Sequence, residues 1–92
     1  MLRFNVSDLL KLKIRRLAKK DRPLLEILRK KMDEILNNDA KMAAARYKNL
    51  RSDLKGLKRV HIGRNFVLTF RVDEGQESVF FADFDHHDEV YH

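Results

Sequence analysis

From Leu9 to Leu36 the apolar residues return every three or four positions, and beyond Gly56 they return every second one. The first spacing is that of a helix with one buried stripe, the second that of a strand with one buried face. Leu9, Leu10, Ile14 and Leu17 form the first stripe, while Lys11, Lys13, Arg15, Arg16 and Lys19 fill the other side. Ser7 stands ready as an N-cap, with Asp8 in the first turn where the helix dipole favours a carboxylate. Asp21 and Pro23 mark a new start, and Leu24, Leu25, Leu28, Met32, Ile35 and Leu36 make the stripe of a second helix ending near Asn37 and Asn38. A short strand, Leu2 to Val6, precedes this helical hairpin.

Ala43 to Arg46 reads as a helical turn, and Gly56 breaks the pattern before the strands begin. Val60 and Ile62 alternate with Arg59 and His61; Phe66, Leu68, Phe70 and Val72 alternate with Val67, Thr69 and Arg71. Gly63 to Asn65 and Asp73 to Gln76 are turns, and Ser78 to Phe84 is a further strand with Phe80, Ala82 and Phe84 on one face. The predicted order is β-α-α-β-β-β, an α+β domain with the helices against one sheet face. Val60, Ile62, Phe66, Leu68, Phe70, Phe80 and Phe84 should then meet the helices. The opposite face should show Arg59, His61, Thr69, Arg71, Asp83 and Asp85, with Phe81 packing there. The register between strands is not fixed by alternation alone.

A chain of 92 residues makes one domain, residues 1–92, with a single modest core. The absence of cysteine excludes a disulfide framework and any thiol chemistry. No apolar run approaches the roughly 20 residues of a membrane span, and the N-terminus does not read as a signal peptide. The expectation is a cytoplasmic protein with no membrane partner and no cofactor.

The net charge of +6 divides unevenly: residues 1–64 hold 19 of the 20 Lys and Arg against 7 acids, and residues 65–92 hold only Arg71 against 7 acids. A basic body of this kind attracts a polyanion or an acidic protein. The C-terminal FADFDHHDEVYH gathers Asp83, Asp85, His86, His87, Asp88 and His92, all of metal-ligand type, but their spacing matches no defined metal signature and no metal is expected. Adjacent side chains of an extended segment point to opposite faces, so His86 and His87 should not enter one site together.

ARYKN at Ala45 to Asn49, LKG at Leu54 to Gly56, His61-Ile62 followed by the strand FVLTF, and the closing H-x-x-V-Y of His87 to Tyr91 occur in an order and spacing that resemble the RelE/ParE toxin superfamily. Within it the chain is most similar to the YafQ-like mRNA interferases of type II toxin–antitoxin pairs. The resemblance covers essentially the whole chain and implies the β-α-α-β-β-β fold reached above from periodicity. It also implies a cognate antitoxin as partner, the ribosome and mRNA in its A site as targets, and metal-independent cleavage.

In such cleavage the RNA supplies its own 2′-hydroxyl nucleophile, so the protein must align it, take its proton, stabilise the phosphorane and protonate the leaving oxygen. By the resemblance, His87 is the general acid and His61 the general base or phosphate ligand. Asp85 or Asp83 would orient a histidine, and Tyr91 would stack on a base or position it. Lys58 and Arg59 would stabilise charge, and Tyr47, Lys48, Lys55, Arg64 and Asn65 would line the RNA path. Two other functions suit the same fold: a ParE-type toxin that binds a protein such as DNA gyrase, and a module that contacts RNA or antitoxin without cutting. The paired histidines argue for cleavage. The absence of a histidine just after Asn49, and Val67 where RelE carries arginine, keep the non-cleaving reading open.

Overall fold

The computed structural model describes residues 1–50 and 56–90. Strand β1 (Arg3–Val6) leads into helices α1 (Asp8–Lys20), α2 (Arg22–Leu36) and α3 (Ala40–Arg46). Strands β2 (Lys48–Asn49), β3 (Leu57–Ile62), β4 (Phe66–Asp73) and β5 (Ser78–His86) follow, and a short α4 (His87–Val90) comes last. The five strands form one sheet in the order β1-β5-β4-β3-β2, with β1 parallel to β5 and the other pairings antiparallel.

The first three helices each start on a side-chain cap. Ser7 Oγ accepts the Leu10 N–H at 3.0 Å, Asp21 Oδ1 that of Leu24 at 3.1 Å, and Asp39 Oδ1 that of Met42 at 2.7 Å. Asp21 serves both helices it joins, because its own N–H donates to the Leu17 carbonyl at the end of α1. The hairpin therefore needs no linker. Asp39 explains why α3 begins at Ala40, three residues ahead of the predicted turn: its capped start lets Ala40 and Ala43 bury together. The two-residue β2 was not predicted, being too short for any alternation to show.

Leu10, Leu28, Ile35, Ile62, Leu68, Phe70, Val79 and Phe81 are fully buried between the helices and one sheet face. Phe81 stands where Phe80 was expected. Leu68 lies opposite Phe84 and Thr69 opposite Asp83, but Phe70 lies opposite Phe81, so Ala82 is an extra residue on β5. A bulge of this kind reverses the inward and outward alternation beyond it. It turns Val79 and Phe81 into the core and leaves Phe80 42% exposed on the other face. Ser7 holds the irregularity in place, its N–H donating to the Phe81 carbonyl and its Oγ to that of Ala82 at 2.6 Å.

The shifted phase of this strand predicts unequal costs for neighbouring phenylalanines. Phe81→Ala should destabilise by about 3–5 kcal/mol, the usual cost of emptying a core phenylalanine site, and Phe80→Ala by about 1 kcal/mol or less. Urea unfolding of the two variants measures the difference.

Candidate functional site

The sheet face away from the helices carries a basic column. Residues paired across strands share a face, which puts Lys48, Arg59 and Thr69 in one row and His61, Val67 and Asp85 in the next. His61 and Lys48 are exposed and Arg59 is half-buried. Arg64 and Asn65 sit exposed in the β3–β4 turn above them.

His87 joins this column from the far end of the sheet. The strand runs two residues past its predicted end, to His86, and a helical turn begins at His87. The His87 N–H donates to the Asn65 carbonyl, pinning the start of α4 to the β3–β4 turn. Its imidazole then stacks on that of His61, with ring centroids 5.5 Å apart and planes 25° from parallel. Two residues 26 positions apart thus present their rings side by side at a half-open surface. His86 turns elsewhere, its ring edge-on to Phe66 at 5.4 Å. Only one of the adjacent histidines enters the pair, because His86 ends β5 while His87 opens the helical turn.

Asp88 is the carboxylate near these rings, with Oδ1 3.7 Å from His87 Nδ1 and Oδ2 3.8 Å from His86 Nδ1. That separation is too long for a hydrogen bond and short enough to attract a protonated imidazole. The sequence signal for Asp88 was only adjacency. The strand-to-helix change brings it within reach, because i and i+1 no longer diverge as they do on a strand.

A model of the ParE toxin of the type II toxin–antitoxin system parDE matches residues 6–91. The chain belongs to this ParE toxin family. An uncharacterized protein of Methanosarcina mazei is 49% identical over 86% of this chain and 86% of its own length. The provisionally named toxin RelE4 of Methanocaldococcus jannaschii is 47% identical over 85% of this chain and 78% of its own. Among solved structures, YafQ from Escherichia coli superposes with a TM-score of 0.72 at 18% identity, each chain covered in full. A chain of the YoeB–YefM complex from Staphylococcus aureus does so at 0.73 and 17%, over 95% of this chain and 98% of that one. The protein is a toxin of RelE/ParE type, and its helices packed on a mostly antiparallel five-stranded sheet are the fold of those structures.

Several residues expected at the site of this ParE-family chain lie elsewhere. Asp85 is engaged by the backbone and by α1. Its Oδ1 accepts the backbone N–H of His86 at 2.8 Å, and its Oδ2 accepts from Lys13 Nζ at 3.3 Å. Lys58 lies opposite Phe70, so alternation turns it to the helix side, away from His61. Tyr47 is buried, edge-on to Phe70 at 5.4 Å, with Arg46 over its ring at 5.7 Å. It is a core residue because the capped α3 carries it inward. Lys55 and Tyr91 lie outside the described residues.

Lys13 of α1 is the ionic centre next to the site. Beyond Val6, β1 no longer covers β5, and the open edge from Ala82 to His86 is closed by side chains instead. Lys13 Nζ donates to Asp83 Oδ1 at 2.8 Å, to the Phe84 carbonyl at 3.1 Å and to Asp85 Oδ2. Asp83 Oδ1 in turn accepts the Phe84 N–H at 2.8 Å. Burial alone lowers the pKa of the ammonium, but the hydrogen bonds and charges of Asp83 and Asp85 outweigh it and hold Lys13 above its ordinary 10.5. Because the folded value is the higher one, the contribution to stability is whole below the unfolded lysine value and fades as pH rises through the folded one.

Lys13→Met keeps the apolar stem and removes the charge. The partners are partly solvated, so the expected loss at pH 7 is about 1 kcal/mol, below the roughly 1.5–3 kcal/mol of well-shielded charged hydrogen bonds. The difference from wild type should shrink as the pH climbs past the unfolded lysine value. Urea titrations of both chains at pH 7 and in strong alkali check it.

Proposed function

We propose that this toxin is a metal-independent endoribonuclease that cuts mRNA in the ribosomal A site. The observation that carries the reading is the stacked pair of His61 and His87 on an exposed, basic sheet face. Imidazole serves as base or acid near neutral pH, and two rings held side by side supply one of each. His61 takes the proton of the attacking 2′-hydroxyl, and His87 gives one to the leaving 5′-oxygen. Arg59, with Lys48 opposite it, stabilises the charge that builds on the phosphorane. Asp88 attracts the protonated form of His87. Arg64 and Asn65 border the rings and guide the strand. A cognate antitoxin is the protein partner, consistent with the match to the toxin of a toxin–antitoxin pair and with the exposed Lys and Arg of α1.

A second reading is favoured by one finding. The matching family model is that of the ParE toxin, and the alternative is a ParE-type toxin that acts by binding a protein such as DNA gyrase. On that reading the histidine pair has no chemical role.

Primer extension on a defined mRNA with purified ribosomes, chelator present throughout, separates the two. Wild type should cut at A-site codons. His87→Ala and His61→Ala should each slow cleavage by about a hundredfold or more. Ribosome binding without cuts, or cuts indifferent to both histidines, would overturn the assignment, and inhibition of gyrase supercoiling by the same protein would replace it.

A further inference from the structure

The bulge at Ala82 does more than choose a core phenylalanine. It delivers Phe80 to the face that carries His61 and His87, where Phe80 lies opposite Arg71 on β4 and Asn5 on β1. Leu57 on β3 completes this row, two rows below His61. With about 3.3 Å per residue along a strand, the row lies roughly 13 Å from the histidine pair. Here Asn5, Arg71 and Phe80 line an open groove of about 510 Å³.

We propose that Phe80, Arg71 and Asn5 form a second RNA subsite, in which a base of the single-stranded substrate stacks on Phe80. This rests on the nuclease reading of the face above. An exposed phenylalanine on a sheet face offers a π-surface that any base can cover. The Arg71 guanidinium takes the phosphate beside that base, and the Asn5 carboxamide meets the base edge. Arg59, Lys48 and Arg71 then form a basic track between the cleavage point and the stacked base. Asp73 and Glu74 line the far end of the groove and end the track by repulsion. Asp73 is partly occupied already, its Oδ1 accepting the Gln76 N–H at 3.1 Å. The subsite anchors the strand, and the chemistry stays with the histidines.

The test is the same programmed-ribosome assay, run as single turnovers over a range of toxin concentrations. Phe80→Ala should raise the concentration for half-maximal cleavage about tenfold, within the range for loss of one base stack, while the rate at saturation stays that of wild type. Phe80→Trp should restore the wild-type value, and Arg71→Ala should shift it in the same direction as Phe80→Ala. Abasic nucleotides are then scanned through the mRNA on either side of the cut. One position should weaken wild type and add nothing to Phe80→Ala. Thermal unfolding of each variant guards against a folding defect.

If Phe80→Ala saturates like wild type while His87→Ala abolishes cutting, the subsite is wrong and the nuclease reading stands. If Phe80→Ala is weakened but no abasic position matters, Phe80 touches something other than the substrate base, and the proposal is again overturned. If wild type cuts no RNA under any condition, both fall together.

Discussion

A single extra residue in β5 sets the terms for both sides of the sheet. Ala82 has no partner on β4, and the alternation of β5 changes phase across it. On the C-terminal side Phe84 faces the helices, stacked on Phe66 at 5.0 Å; on the N-terminal side Val79 and Phe81 do. Without the bulge, Phe80 would turn inward and the bulkier half of the core would have to be rebuilt. Ser7 is the residue that makes the bulge compatible with the helices. One hydroxyl accepts from the first turn of α1 and donates to the bulged carbonyl, so helix start and strand irregularity are fixed by the same atom.

Lys13, less than two turns further along α1, completes this edge. The seven acids of residues 65–92 suggest a surface hostile to RNA. Two of them, Asp83 and Asp85, share the Lys13 ammonium and also accept backbone N–H groups of their own strand. Their charge is spent on closing an unpaired strand edge, and the basic column on β2, β3 and β4 is left to govern the open face. The charge asymmetry along the chain is therefore milder in space than in sequence. The same contacts brace the strand end from which His87 starts.

Much of this was legible because local pattern and local chemistry agree. The two long helices declared themselves through period, caps and the Asp21–Pro23 start, and β3 and β4 through strict alternation. His61 and His87 stood out as a pair only by resemblance to a family; periodicity placed His61 on the open face and was silent about His87. The structure turns Tyr47, Lys58 and Asp85 to partners other than the histidine pair, because proximity to a motif in sequence says nothing of which way a side chain leaves the backbone. Tyr47 goes inward with α3, Lys58 follows the alternation of β3 to the helix side, and Asp85 is claimed by a lysine 72 residues away.

The sequence by itself determined the element types, the order of the main elements and the side of β3 and β4 that meets the helices, since these follow from periods of 3.6 and 2 and from caps acting within a few residues. Only the tertiary structure decided the phase of β5, the helical turn at His87 and the stacking of two distant imidazoles. A bulge is defined by a partner strand, and one residue of slip reverses every side chain beyond it; no property of Ser78 to His86 alone records where that slip occurs.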